Sequence, residues 1–382
     1  MSERTQLNFD IAMMDGELWI RNGNMFMMGP GGSGKTCTLA AVLEEKPPSI
    51  RESTPCAKKP VRAVAQCKIG VSDEGDSKTH FVRITDEDYS DMISTSAKCI
   101  PLPTQPAPSP QLTSTQESDC NIDTSPEGSS ESSSSSSTVD KPVVPSWCGG
   151  SQRELLVRMN AGSMTSNQLD GKDLFDISDS GGQPMFHEVL PVFVTNTMFG
   201  MLIVKLNESL DSHPLVEYFT NGKRIGNPFK SPFTHLQTFR HCMRVLQSTC
   251  KRGKCPKIAF IGTHRDLEKD CPSEDRKEKN HKLLSIVPPQ MKDSVISCTS
   301  ESLLFAINAI CPGDDDQSVL TKLRKLLLSE LLKVPRVRIP LRYFGLEMAF
   351  QRLAKYQKKA ILSKEECFKE AMHYLPFHEG IV

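Results

Sequence analysis

Eight consecutive residues, Gly29-Pro30-Gly31-Gly32-Ser33-Gly34-Lys35-Thr36, match the spacing G-x-x-x-x-G-K-[ST] at every fixed position. These residue types fit one chemistry, the cradling of a phosphate chain. Gly29, Gly31, Gly32 and Gly34 let successive backbone N–H groups, that of Ser33 included, turn inward around phosphate oxygens. The Lys35 ammonium would reach the terminal phosphates as a point charge, and the Thr36 hydroxyl would face Mg²⁺. The flanks agree. An apolar run of strand length, 24–28, precedes the loop. Leu39, Val42 and Leu43 then stand at helical spacing within 35–45, so a positive helix N-terminus would point at the anion. The loop alone leaves GTP and ATP equally open.

Two later clusters also follow runs that read as strands. Asp179-Ser180-Gly181-Gly182-Gln183 comes after 174–178, and Thr263-His264-Arg265-Asp266 comes after 257–262. A carboxylate such as Asp266 can accept hydrogen bonds from guanine N1–H and the exocyclic amine together. Adenine offers neither, so a site built around it should reject adenine.

Together with the phosphate loop, D-x-x-G-Q at 179–183 resembles the Ras-type GTPases, and T-H-x-D at 263–266 is the variant seen in Roco proteins. The chain therefore resembles a Roco-type G domain, over about residues 20–333, followed by the start of a COR-like domain. The resemblance implies GTP/GDP and Mg²⁺ as ligands. By it, Asp179 holds Mg²⁺ through water, the Gly182 N–H bonds the γ-phosphate, and Gln183 orients the attacking water. In Arg51-Glu52-Ser53-Thr54 the metal-side threonine of the first switch would be Thr54, with Ser53 as the alternative. Arg51, three residues earlier, resembles the arginine that acts in cis in heterotrimeric G-protein α subunits. Thr263 and His264 stand where most GTPases carry Asn and Lys. For the last base-side motif, Asn308-Ala309 is the first choice and Cys298-Thr299 the rival.

The elements that must position these groups alternate. Strands are expected at 61–71, with a hairpin partner at 81–84, and at 174–178, 198–206, 257–262 and 303–307. Helices are expected at 152–159, 233–250, 273–286 and 318–332, the last with Leu320, Leu323, Leu327 and Leu331 on one stripe. The fold class is α/β: a P-loop GTPase-like, mostly parallel sheet with helices on both faces. Trp19, between Leu18 and Ile20, is expected in the core.

Residues 101–150 interrupt this pattern, with 26 of 50 being Pro, Ser or Thr. Such a segment cannot bury enough apolar surface to order itself, so 97–147 reads as a disordered insertion. The organisation is then a G domain in two parts, 1–96 and 148–333, around that insertion. A partial COR-like helical segment, winged-helix-like in type, occupies 334–382. Its signs are a basic connector between Pro335 and Pro340, a helix with Leu346, Phe350 and Leu353 on one face, and a capping box at Ser363 and Glu366.

Composition removes other classes. Lys+Arg and Asp+Glu both number 46, which argues against nucleic acid as the main partner. No run of about 18 apolar residues provides a transmembrane segment, and residues 1–10 lack an apolar signal core. The 13 Cys show neither paired nor zinc-ligand spacing, which reads as reduced thiols in a cytoplasmic protein. The cluster Lys251-Arg252-Gly253-Lys254 reads as a solvated loop. The expectation is a GTP-binding switch with slow Mg²⁺-dependent hydrolysis. Its partners would be protein effectors or regulators at the switches and a second copy through the COR-like part. The alternatives are a non-cycling nucleotide-binding scaffold and an ATP-binding STAND-like oligomerising switch.

Overall fold

The computed structural model describes residues 17–50, 52–54, 60–68, 78–84, 172–194, 197–251, 254–268, 272–340, 342–343, 346–347, 350 and 363–367. The insertion 97–147, the helix expected at 152–159 and Arg51 lie outside them.

The chain is a mixed α/β protein around a mostly parallel sheet. Its strands are β1 (Glu17–Met28), β2 (Val61–Lys68), β3 (Lys78–Arg83), β4 (Lys172–Asp179), β5 (Phe199–Lys205), β8 (Lys257–Thr263), β9 (Val295–Ile296), β10 (Leu304–Ala306) and β11 (Val337–Pro340). The strand order is β10-β8-β5-β1-β4-β2-β3. β4, β1, β5, β8 and β10 run parallel, while β2 pairs antiparallel with both β4 and β3. β6 (Leu215–Thr220) and β7 (Lys223–Lys230) form a separate hairpin.

The central strands are apolar on both sides because helices cover both. In β1, Met25 and Met27 join one core, and Phe26 and Met28 join the other. α1 (Lys35–Val42) and α6 (Asp314–Leu331) cover the first face. α4 (His235–Ser248) and α5 (Pro272–Ser285) cover the second. The short α2 (Pro184–His187) and α3 (Leu190–Phe193) follow β4. In α6, Leu320, Leu323, Leu327 and Leu331 are all buried, as spacing of three and four residues requires of one helical face. The loops after β1 and β5 thus lead to opposite faces. They part at the carboxyl edge of the sheet, the usual ligand position in such folds.

Three expectations change. Trp19 is 43% exposed, because strand alternation turns Leu18 and Ile20 inward and Trp19 outward. The Arg338 guanidinium covers its ring at 4.5 Å. The stretch read as a connector, 335–340, contains a strand instead. β11 pairs antiparallel with β1, Trp19 opposite Arg338 and Glu17 opposite Pro340. The cysteines are not all reduced. Cys250 and Cys255 form a disulfide, because a tight turn holding the Lys251–Lys254 bridge brings their Cα atoms to 4.4 Å. Cys37, Cys242, Cys298, Cys311 and Cys367 are free.

Beyond β11, the capping box forms as expected: Ser363 N–H donates to Glu366 and Glu366 N–H donates to the Ser363 hydroxyl. No described helix is long and apolar enough to cross a membrane.

The stripe on α6 gives a stability test. Leu323→Ala should lower the unfolding free energy by about 2–5 kcal/mol in a urea titration. The same change at exposed Leu332 should leave it nearly unaltered.

Candidate functional site

The carboxyl ends of β4 and β8 meet the loop between β1 and α1. Gly34 ends the phosphate loop at φ 87°, a left-handed conformation that favours glycine, and it caps α1 without a side chain. The first turn of α1 carries no acidic residue. Its first N–H groups therefore have no capping side chain or acidic residue of the helix's own first turn. Lys35 folds back across the loop. Its Nζ donates to the carbonyls of Gly29 and Pro30, each at 2.9 Å. Burial pushes this amine down to about 8, against the opposing pull of Asp179.

On one side of Lys35 three oxygen-bearing side chains meet. The Thr36 hydroxyl donates to Asp179 Oδ2 at 2.7 Å, and Thr54 Oγ1 lies 3.4 Å from Thr36 Oγ1. The second carboxylate oxygen, Asp179 Oδ1, is buried and has no hydrogen-bond partner. Two hydroxyls and one carboxylate with a spare oxygen are a hard donor set. They fit Mg²⁺, which takes one or two carboxylates and completes its shell with water and substrate phosphate. Among the described residues, no group of three or more His, Cys, Asp or Glu is placed to hold a metal. Ser53 is turned elsewhere: its hydroxyl accepts from the Phe219 N–H at 2.8 Å.

The segment after Asp179 lies directly on the phosphate loop. The Ser180 hydroxyl donates to the Met27 carbonyl at 2.7 Å, tying β4 to the end of β1. A Cβ on Gly182 would stand 2.4 Å from Lys35 Nζ and 2.5 Å from the Pro30 carbonyl oxygen. Only glycine allows this approach. Gln183 is 4% exposed, and its Oε1 has no partner. His187, on α2, is buried with Nε2 unpartnered and stacks on His241 of α4, ring centroids 6.1 Å apart. The His241 ring also bonds the His187 carbonyl at 2.8 Å. Burial first, then Lys35 and His241, hold His187 down at about 4.

The base-side segments face the phosphate loop from β8 and β10. Thr263 is buried. Its hydroxyl donates to the Ser33 carbonyl at 2.7 Å, so it braces the loop. His264 has φ 58° and lies 3.0 Å from the Thr263 hydroxyl through Nδ1. Asp266 is exposed. Asp316, at the start of α6, binds Arg265 at 2.9 Å and accepts from the Asn308 N–H at 3.1 Å. One buried carboxylate thus joins the 263–266 turn to Asn308-Ala309. The Asn308 side-chain oxygen closes its own turn by accepting from the N–H groups of Ile310 and Cys311. The rival Cys298-Thr299 precedes β10, where Thr299 caps a local turn with Ser302.

Three features were not among the sequence-based expectations, although one of them, the β6–β7 hairpin, had a local signal. Arg324, within the apolar stripe of α6, is 2% exposed and donates to the carbonyls of Ala41 and Val42, capping the end of α1. A basic residue interrupting a Leu stripe could have marked it. The His187–His241 contact joins residues far apart in sequence. The β6–β7 hairpin was legible: Asn221-Gly222 between apolar runs encodes its turn, with φ 50° and 74°. No protein-family model matches the sequence, and no curated protein matches it.

His187 yields a pH test. It stays neutral in the folded chain down to about 4, while the unfolded chain takes a proton near 6.5. Its contribution is complete above the higher value and is lost as pH falls through that window. His187→Gln should therefore lose less stability than wild type between about pH 7 and about pH 5 in urea unfolding. Equal losses would contradict the assignment.

Proposed function

We propose that this chain is a guanine-nucleotide-binding switch that hydrolyses GTP slowly with Mg²⁺. The observation that carries the reading is the meeting of Thr36, Thr54 and Asp179 beside Lys35. The bonded pairs stand 18 and 143 residues apart in sequence. A glycine loop alone is a local pattern. The convergence of a first-switch threonine and a post-strand aspartate on its Thr is not. The alternating α/β order, with these residues at the carboxyl edge of a mostly parallel sheet, supports the reading.

In this reading, backbone N–H groups of 31–36 receive the phosphate chain. Lys35 exchanges its two carbonyl acceptors for phosphate oxygens. That exchange trades neutral partners for charged ones, which strengthens the bonds. Thr36, Thr54 and Asp179 would hold Mg²⁺, which supplies charge neutralisation across the terminal phosphates. Gly182 stands against Lys35, and its N–H would bond a γ-phosphate once the segment rises from Pro30. Asp266 faces solvent and is the group for the guanine edge, with Thr263 bracing the loop rather than reading the base. The Roco-type assignment rests on the T-H-x-D variant.

The burial of Gln183 favours a second reading, a nucleotide-binding scaffold that does not cycle. For hydrolysis Gln183 must leave its buried position, so α2 must move.

Two measurements test this. A fluorescent GDP analogue, bound with Mg²⁺ and competed separately by GTP and ATP, should show GTP preferred by about 100-fold. Equal competition would move the chain to an adenine-tolerant P-loop class. Gln183→Leu should keep nucleotide affinity and slow single-turnover GTP hydrolysis by about tenfold or more. An unchanged or undetectable wild-type rate would support the scaffold.

A further inference from the structure

The β6–β7 hairpin lies outside the main sheet, yet it touches the segment that carries Thr54. Ser53 N–H donates to the Phe219 carbonyl at 3.1 Å, and Phe219 N–H donates back to the Ser53 hydroxyl at 2.8 Å. The Ile50 side chain is near the hairpin tip, where a Cβ on Gly222 would stand 3.1 Å from Ile50 Cγ2. The segment that carries Thr54 is thus bonded to β6 at Ser53, immediately before Thr54.

The hairpin can bear this load because its base is fixed. Val216 is 2% exposed, Ser231 N–H donates to the Pro214 carbonyl at 2.8 Å, and His235 N–H donates to the Ser212 carbonyl at 3.1 Å. Those last bonds tie the stem to the first turn of α4, which packs on the sheet. A Tyr218–Phe229 ring contact at 6.3 Å joins the strands. The tip is set by Asn221-Gly222, a turn that matches strand twist. An isolated two-stranded hairpin is marginal in water, so these anchors decide its order.

We propose that the β6–β7 hairpin is a built-in clamp on the first switch, and that Ser53 is the positioning residue through which it holds Thr54 beside Thr36 and Asp179. The proposal rests on the metal-side reading of Thr54 given above. An exposed loop normally has to be ordered by ligand at an entropic cost. Here the fold meets part of that cost beforehand, so the clamp should strengthen Mg²⁺ retention without touching the nucleotide itself.

The test is amide hydrogen exchange on the full chain without nucleotide, comparing wild type with Ser53→Ala and Ser53→Thr. Titration of Mg²⁺ against release of a fluorescent GDP analogue follows. Ser53→Ala should raise exchange at the Phe219 amide by about fivefold, the equivalent of losing one hydrogen bond. It should raise the Mg²⁺ concentration for half-maximal GDP retention by about the same factor, with GDP affinity in excess chelator unchanged. Ser53→Thr keeps the hydroxyl and should restore both readouts. Equal Phe219 exchange in wild type and Ser53→Ala overturns the clamp. Faster exchange with an unaltered Mg²⁺ dependence overturns the positioning role. The exchange comparison needs no nucleotide, so a wild type that binds no guanine nucleotide overturns the site reading, and the clamp is then judged on exchange alone.

Discussion

The carboxyl edge of the sheet is organised around one buried charge. The Lys35 ammonium sits at the carboxyl edge of the sheet with 6% of its surface exposed, where water cannot solvate it. Two loop carbonyls and the nearby Asp179 carboxylate take the place of water. That requirement fixes the path of residues 29–34, because Gly29 and Pro30 must turn their carbonyls inward. It also explains why Gly182 lies so close, since any side chain there would displace the amine. Burial still lowers the affinity of Lys35 for its proton, because these groups replace water only in part.

The same economy governs the neighbouring polar groups. Buried carboxylates and guanidiniums are tolerable only when bonded, and each one here bonds across elements. Arg324 closes the last turn of α1 from α6, and Glu44 pairs with it at 3.0 Å. Asp316 binds the turn after β8 and the turn after β10 together. Thr263 links β8 to the phosphate loop. Asp179 Oδ1, Gln183 Oε1 and Ser33 Oγ are buried without partners on this side of the sheet, and so are polar atoms elsewhere, among them Arg21 Nε and Asn280 Oδ1.

The hairpin and β11 extend this core in different ways. β11 lengthens the sheet at the amino end of β1, away from the phosphate loop, where Arg338 stacks on Trp19. The hairpin stands over the carboxyl edge and reaches the first-switch segment through main-chain bonds. It therefore joins the α4 side of the sheet to the segment carrying Thr54 by a route that does not pass through the central strands.

Much of this was legible in the sequence, because the relevant signals are local. The glycine loop, the apolar runs of β5 and β8, the Leu stripe of α6 and the Ser363 capping box follow from backbone freedom, two-residue and 3.6-residue periodicity, and short-range hydrogen bonds. The resemblance already put Thr54 ahead of Ser53, but the separate engagement of the Ser53 hydroxyl by the Phe219 N–H was not legible. Nor was the outward face of Trp19, since alternation gives two faces and only the packing says which one is covered. The cap by Arg324, the Asp316 joint, the His187–His241 stack and the Cys250–Cys255 bond all depend on chain segments meeting in space. By itself the sequence determined the phosphate loop, the alternating α/β order and the residue types at the carboxyl edge of the sheet. Tertiary structure decided which of those residues meet, because contacts between groups tens to hundreds of residues apart are set by packing the two faces of one sheet.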